Sequence, residues 1–136
     1  MRFMMLIKGN ADYEAGILPG QDMIDAMGKY NESMLRAGVL LDVSALQPSS
    51  KGTRIRYCGD QQHLTDGPFA EAKELIAGYW MIEVKSKAEA LEWAKRCPVP
   101  GTGEELEIEL RQLYEVSDFP ADKVIKGLGA DDRSVT

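Results

Sequence analysis

The segment Arg2–Lys8, RFMMLIK, is apolar at both alternating parities. Phe3, Met5 and Ile7 point to one side, and Met4 and Leu6 to the other. A strand of this kind is covered on both faces, because a half-solvated strand alternates apolar with polar residues. Residues 77–84 repeat the pattern, with Trp80, Ile82 and Val84 opposing Tyr79 and Met81, and VLLDVSAL at 39–46 reads as a further strand of the same sort. Any fold for this chain must therefore supply two covers for one sheet.

The intervening segments supply the first cover. Met23, Met27, Tyr30 and Met34 recur at helical spacing within residues 21–37, and Gly38 stands where a helix-ending glycine belongs. Ser86 and Glu89 have capping-box spacing at the head of a second helix, which stops at Cys97-Pro98 before a Pro/Gly loop. Residues 9–20 read as a loop. Residues 53–58 and 63–65 read as the arms of a small hairpin around Gly59-Asp60, and residues 70–75 as an irregular turn. Residues 105–116 alternate as a last strand, with Leu106, Ile108 and Leu110 on one side. The order is strand, helix, strand, strand, helix, strand, with the hairpin inserted. This is the βαββαβ pattern of a ferredoxin-like α+β sandwich. Right-handed crossovers put both helices on one face.

The other face is then expected to be covered by a second copy, giving a homodimer with sheets packed face to face. The competing cover is the C-terminal tail. It offers only Phe119, Val124, Ile125 and Leu128 as large apolar groups. The domain is expected to span residues 1–119, and residues 120–136 to form an extended or frayed tail.

A chain of 136 residues buries enough surface to fold without disulfides or metal. Its formal net charge of −6 disfavours nucleic acid and anionic membranes as partners. No run of 18 apolar residues occurs, and the opening MRFMMLIK is too short for an export signal. Cys58 and Cys97 are then expected to be reduced thiols in a cytoplasmic protein. With His63 as the only histidine, no classical zinc site can form. No nucleotide-binding or nucleophilic-serine motif occurs, so no cofactor is expected.

The stretch from His63 to Glu74, HLTDGPFAEAKE, is the most unusual. It places Asp66 on a strand exit, where a raised pKa would suit a general acid or base, with His63 three residues before it as an acid–base partner. The structural alternative is Asx-turn chemistry, in which the Asp66 carboxylate accepts from nearby backbone amides. In a flat strand, His63 and Asp66 point to opposite faces. Arg54 and Arg56 share a strand face, and with Lys8 they would hold a carboxylate or enolate. The alternative is a solvated face paired to glutamates. Trp80 would line a pocket for an aromatic ligand, or else belong to core and interface.

At DGPFAEAKELIAGYWMIEV and EALEWAKRCP the sequence resembles the YCII-related family, specifically its DGPF branch. MRFMMLIKG, AMGKYNESMLRAGVLL, LQPSSKG and ELEIELRQLYEVSDF resemble that branch too, so the likeness spans residues 1–119. It implies a dimeric α/β barrel, built from ferredoxin-like subunits paired through their sheets. It also implies a small-molecule site to which Asp66 and Phe69 of the DGPF motif belong. The better-known branch is associated with a His-Asp pair and with lyase-like or dehalogenating chemistry on small cyclic compounds. Its histidine lies in the first helix, where this chain reads DAMGKY at residues 25–30. DGPF proteins are often encoded near extracytoplasmic-function sigma factors, which is compatible with a sensing role. Three functional readings stay open at this point. One is a cofactor-free lyase or isomerase using Asp66, with Lys8, Arg54, Arg56, Phe69 and Trp80 around the substrate. The others are a non-catalytic ligand-sensing dimer and a purely structural DGPF turn.

Overall fold

The structure, a computed structural model, describes residues 1–100 and 105–129. The expected Pro/Gly loop lies partly outside the described residues, as does the end of the expected tail. Strand β1 (Arg2–Lys8) is followed by a single helical turn α1 (Ala11–Glu14), helix α2 (Gln21–Arg36) and strand β2 (Leu40–Ala45). Next come strands β3 (Thr53–Cys58) and β4 (Gln61–Asp66), strand β5 (Ile76–Glu83), helix α3 (Lys87–Lys95) and strand β6 (Ile108–Gln112). Short 3-10 turns lie at Ser49–Lys51, Ala72–Glu74 and Val116–Asp118.

The main sheet has the order β2-β5-β1-β6, and every neighbouring pair is antiparallel. This is a mixed α+β arrangement compatible with the ferredoxin-like sandwich. Register explains its two faces, because residues paired across a sheet point the same way. Val43, Trp80, Met5 and Leu110 form one row, and Leu40, Ile82 and Phe3 form the next. These rows meet Tyr30 and Met34 of α2 and Ala90 and Trp93 of α3 in a single core. Phe3, Met5, Met34 and Ile82 are fully enclosed, and each contributes about 1.5–3 kcal/mol by burial. The opposite face carries the rows Asp42–Met81–Met4–Arg111 and Ser44–Tyr79–Leu6–Glu109. Its apolar members Met4, Leu6, Tyr79 and Met81 are half-buried.

Three segments differ from expectation. The loop at residues 9–20 contains α1, because the Asn10 side chain accepts the Tyr13 N–H at 2.8 Å and caps one turn. The last strand is shorter than residues 105–116. It keeps to β1, whose last ladder contacts are Lys8 N–H to Glu107 and Leu113 N–H to the Arg2 carbonyl. Beyond that, Glu115 and Asp118 cap a turn that leads the chain away. The second hairpin arm is longer than residues 63–65, since Cys58 opposite Gln61 starts a ladder that runs to Thr53 opposite Asp66.

The tail gathers on one corner of the helix-free face. Arg2, buried there, donates through Nε at 2.9 Å and Nη2 at 3.0 Å to the Glu115 carboxylate. Gly129 and Val116 lie beside the same guanidinium. Val124 and Ile125 stay exposed, so they hide little of the sheet. No helix among the described residues is long and apolar enough to cross a membrane. The hydrogen bonds from Arg2 hold the Glu115 carboxyl below its ordinary 4.5. A lowered folded value means a contribution that is full above pH 4.5 and lost as the pH falls through the folded value. Glu115→Gln should lower the melting temperature by a few degrees at neutral pH, and the gap to wild type should close in thermal scans run progressively below pH 4.5.

Candidate functional site

Small residues create the site. In the row Ala45–Gly78–Ile7–Ile108, two of the positions facing the helices are Ala and Gly. The space above them is left unfilled, and a cavity of about 780 Å³ opens between α2, β2 and β5. A side chain at Gly78 has no room, since its Cβ would stand 2.7 Å from the Ser44 carbonyl oxygen. Trp80, Val43, Met27 and Ile7 form the apolar walls, and Ile17 and Leu18 of the loop after α1 form an exposed rim. The volume falls in the range of small-molecule pockets, about 300–1,000 Å³.

Polar groups are few and well held. Trp80 Nε1–H donates to Asn31 Oδ1 at 2.7 Å, and its ring meets Tyr30 edge-on at 5.6 Å. Tyr30 donates its hydroxyl to the Trp93 carbonyl at 2.6 Å, and burial raises its pKa, so it stays a donor. Burial also pushes the Cys97 thiol up to about 11, which leaves it unreactive.

The mouth of the cavity is held by a clasp. The Glu14 carboxylate accepts the Ser49 N–H at 2.9 Å and also the Ser49 hydroxyl proton. Ser49 Oγ in turn accepts the Phe69 N–H at 2.9 Å. Tyr13 donates its hydroxyl to the Gln47 carbonyl at 2.9 Å and shares it with that of Leu46. Three segments distant in sequence are thus joined: the loop bearing α1, the connection at residues 46–52, and the turn Asp66-Gly67-Pro68-Phe69. Gly67 donates its N–H to the Gly52 carbonyl at 2.9 Å, and the Gly67–Pro68 peptide is cis. A Cβ on Gly67 would overlap the Ser49 carbonyl at 1.7 Å.

The residues singled out from the sequence are spread over four places. Trp80 lines the cavity. Phe69 anchors the clasp, with the Arg54 guanidinium stacked 3.9 Å above its ring. Asp66 is exposed at the end of β4 and accepts the Thr53 hydroxyl at 2.8 Å; it does not line the cavity. His63 pairs with Arg56, on the face of the β3–β4 hairpin opposite to Asp66. Lys8 lies on the main sheet, 3.5 Å from Glu109. Hydrogen bonding from Arg111 and the Lys8 charge together hold that carboxyl below its usual range. Lys8 is thus paired on the main sheet, while Arg54 stacks on Phe69 and Arg56 lies opposite His63 on the hairpin. Asn31 and Gly78 were not anticipated. Their signal is a polar residue beside the Met23–Met27–Tyr30–Met34 stripe, and a glycine inside an apolar strand.

The sequence profile of the YCII-related domain matches residues 1–114. The chain belongs to the YCII-related family. An uncharacterised protein of Rhizobium meliloti is 32% identical over 103 residues, covering 74% of this chain and 79% of its own. The span matched by the profile, residues 1–114, contains the residues of the cavity walls and the clasp as well as the sheet.

Two substitutions test the clasp. Ser49→Ala removes the hydroxyl that joins Glu14 to the Phe69 N–H and should cost about 1–3 kcal/mol. Gly67→Ala forces the Ser49 backbone aside and should cost as much or more, about 1–3 kcal/mol for overpacking alone. Chemical denaturation measures both costs. Hydrogen exchange should show faster opening of residues 46–52 in each variant.

Proposed function

We propose that this protein is a small-molecule-binding homodimer whose ligand occupies the cavity between α2 and the β2–β5 edge. The observation that carries the reading is a pocket of ligand size whose walls are apolar and whose mouth is held by a specific hydrogen-bonded clasp. A ligand there would stack on Trp80 and displace no core side chain. Cofactor-free proton transfer by Asp66, with His63, Arg54, Arg56 and Lys8 as partners, is the more demanding form of this proposal. Supporting it, the Asp66 oxygen not bonded to Thr53 is open to solvent or ligand. Non-catalytic binding requires only the cavity and is the reading favoured here.

The dimer rests on the helix-free face. Met4, Leu6, Tyr79 and Met81 make a continuous apolar strip with no helix over it, and the tail gathers at the Arg2 corner. A second copy presenting the same strip would bury both, as in a dimeric α/β barrel. The β3–β4 hairpin points the same way. Ile55, Tyr57 and Leu64 are exposed along one of its faces, and a two-stranded ribbon is marginal in water without a further packing surface.

The experiments are direct. Titration with 1-naphthalenemethanol should give saturable quenching of Trp80 fluorescence, and Ala45→Phe, which fills the cavity floor, should abolish it. If the wild-type protein is not quenched, the binding proposal fails. Sedimentation should give twice the chain's 15.1 kDa, and Met81→Glu should return a folded monomer. A wild-type monomer at every concentration removes the dimer. Asp66→Asn should leave binding intact, while loss of turnover on any substrate identified later would establish the proton-transfer form.

A further inference from the structure

The ligand's chemical class follows from which hydrogen-bonding groups of the cavity are already used. Indole N–H is a donor only, so the amide oxygen of Asn31 must face Trp80. That fixes the amide's orientation and leaves the Asn31 NH2 group, with its two donors, unpartnered among the described residues. Lys51 stands at the mouth and makes no ion pair among them. The groups able to accept are already engaged. Each Glu14 oxygen takes one proton from Ser49, and the Leu46 and Gln47 carbonyls share the Tyr13 hydroxyl. Gln47 and Ser50 can serve in either sense and do not alter the balance. The cavity therefore offers the open donors of Asn31, and of its two charges Glu14 is turned to Ser49 while Lys51 makes no ion pair among the described residues, above a floor of Ala45, Gly78, Val43 and Trp80.

Resting on the cavity reading above, we infer that the site takes a flat apolar or aromatic molecule ending in a carboxylate, whose oxygens accept from Asn31 Nδ2 and face the Lys51 ammonium. A cationic head would leave the Asn31 donors unpaired and meet the Lys51 charge, and its one opposite charge, Glu14, is held by Ser49. Buried donors left unpaired are costly, so head-group discrimination should be strong. This preference runs against the field of the whole chain. A net charge of −6 attracts amines and repels carboxylates, so a preference for the anion must come from the site itself.

The test compares 1-naphthoate, 1-naphthalenemethanol and 1-naphthylmethylamine by isothermal titration calorimetry on the full chain. Wild-type protein should bind the carboxylate at least about tenfold more tightly than the amine. Asn31→Asp keeps the acceptor for Trp80 but replaces the NH2 donors with a negative charge. It should cost the carboxylate about tenfold or more, while leaving the alcohol within about threefold. Lys51→Gln, at an exposed position, should weaken the carboxylate alone and remove most of the salt dependence of its binding. If all three probes bind equally, or the amine binds best, the head-group inference is overturned and the cavity reading stands. If none binds, both fall. Because Asn31→Asp alters a half-buried group, its melting temperature is measured alongside. Should it not fold, the Lys51→Gln result decides.

Discussion

The pairing of β1 with β5 governs the rest of this molecule. These are the two inner strands of the main sheet, in register from Arg2 opposite Glu83 to Ile7 opposite Gly78. Each is apolar on both sides, so their pairing creates two apolar faces at once. One is filled by Tyr30, Met34, Ala90 and Trp93 from the helices. Over the other, the described residues close the Arg2 corner, through Glu115 and the turn that follows it. On that face Met4, Leu6 and Met81 stand where a solvated antiparallel sheet carries polar residues, as β6 does at Glu109 and Arg111.

The same pairing sets where space is left over. Trp80 sits beside Met5 at the middle of the sheet, while Gly78 two residues earlier faces Ile7. A large residue next to a missing one, on a single strand, gives the cavity both its aromatic wall and its floor. The clasp then keeps that space open. Glu14, Ser49 and Phe69 come from three segments with no regular pairing to one another. The turn at Asp66-Gly67-Pro68-Phe69 contributes here through its backbone: Gly67 admits the Ser49 carbonyl, and the Phe69 amide finds the Ser49 hydroxyl. In this light the motif supports the site's rim, whether or not its carboxylate also moves a proton.

The fold was legible because it rests on periodicity, which is local. Two-sided strands, a Met stripe at helical spacing and a Ser–Glu cap each announce themselves within a dozen residues. Strand ends were less so. The last strand stops where its neighbour β1 stops, a fact about another part of the chain. The cavity was hardly legible at all. It is made by what Ala45 and Gly78 lack, and by the register that brings them side by side. The clasp was hidden for a related reason, since Glu14 looks like an ordinary loop acid until Ser49 is known to lie against it. Trp80 was noticed, but its N–H partner Asn31 stands 49 residues away.

The cavity and the apolar strip lie on opposite faces of the sheet. The strip is formed by Met4, Leu6, Tyr79 and Met81, on the face away from the helices. The cavity opens on the helix side, between α2 and the β2–β5 edge. The two faces meet through β5, where Tyr79 and Trp80 are consecutive and point opposite ways, and through β1, where Leu6 and Ile7 do the same. Tyr79 donates its hydroxyl to Asp42 at 2.8 Å on the helix-free side, and Trp80 donates to Asn31 on the cavity side. A displacement of either inner strand would therefore move a cavity residue and a strip residue together, because they are neighbours in the chain.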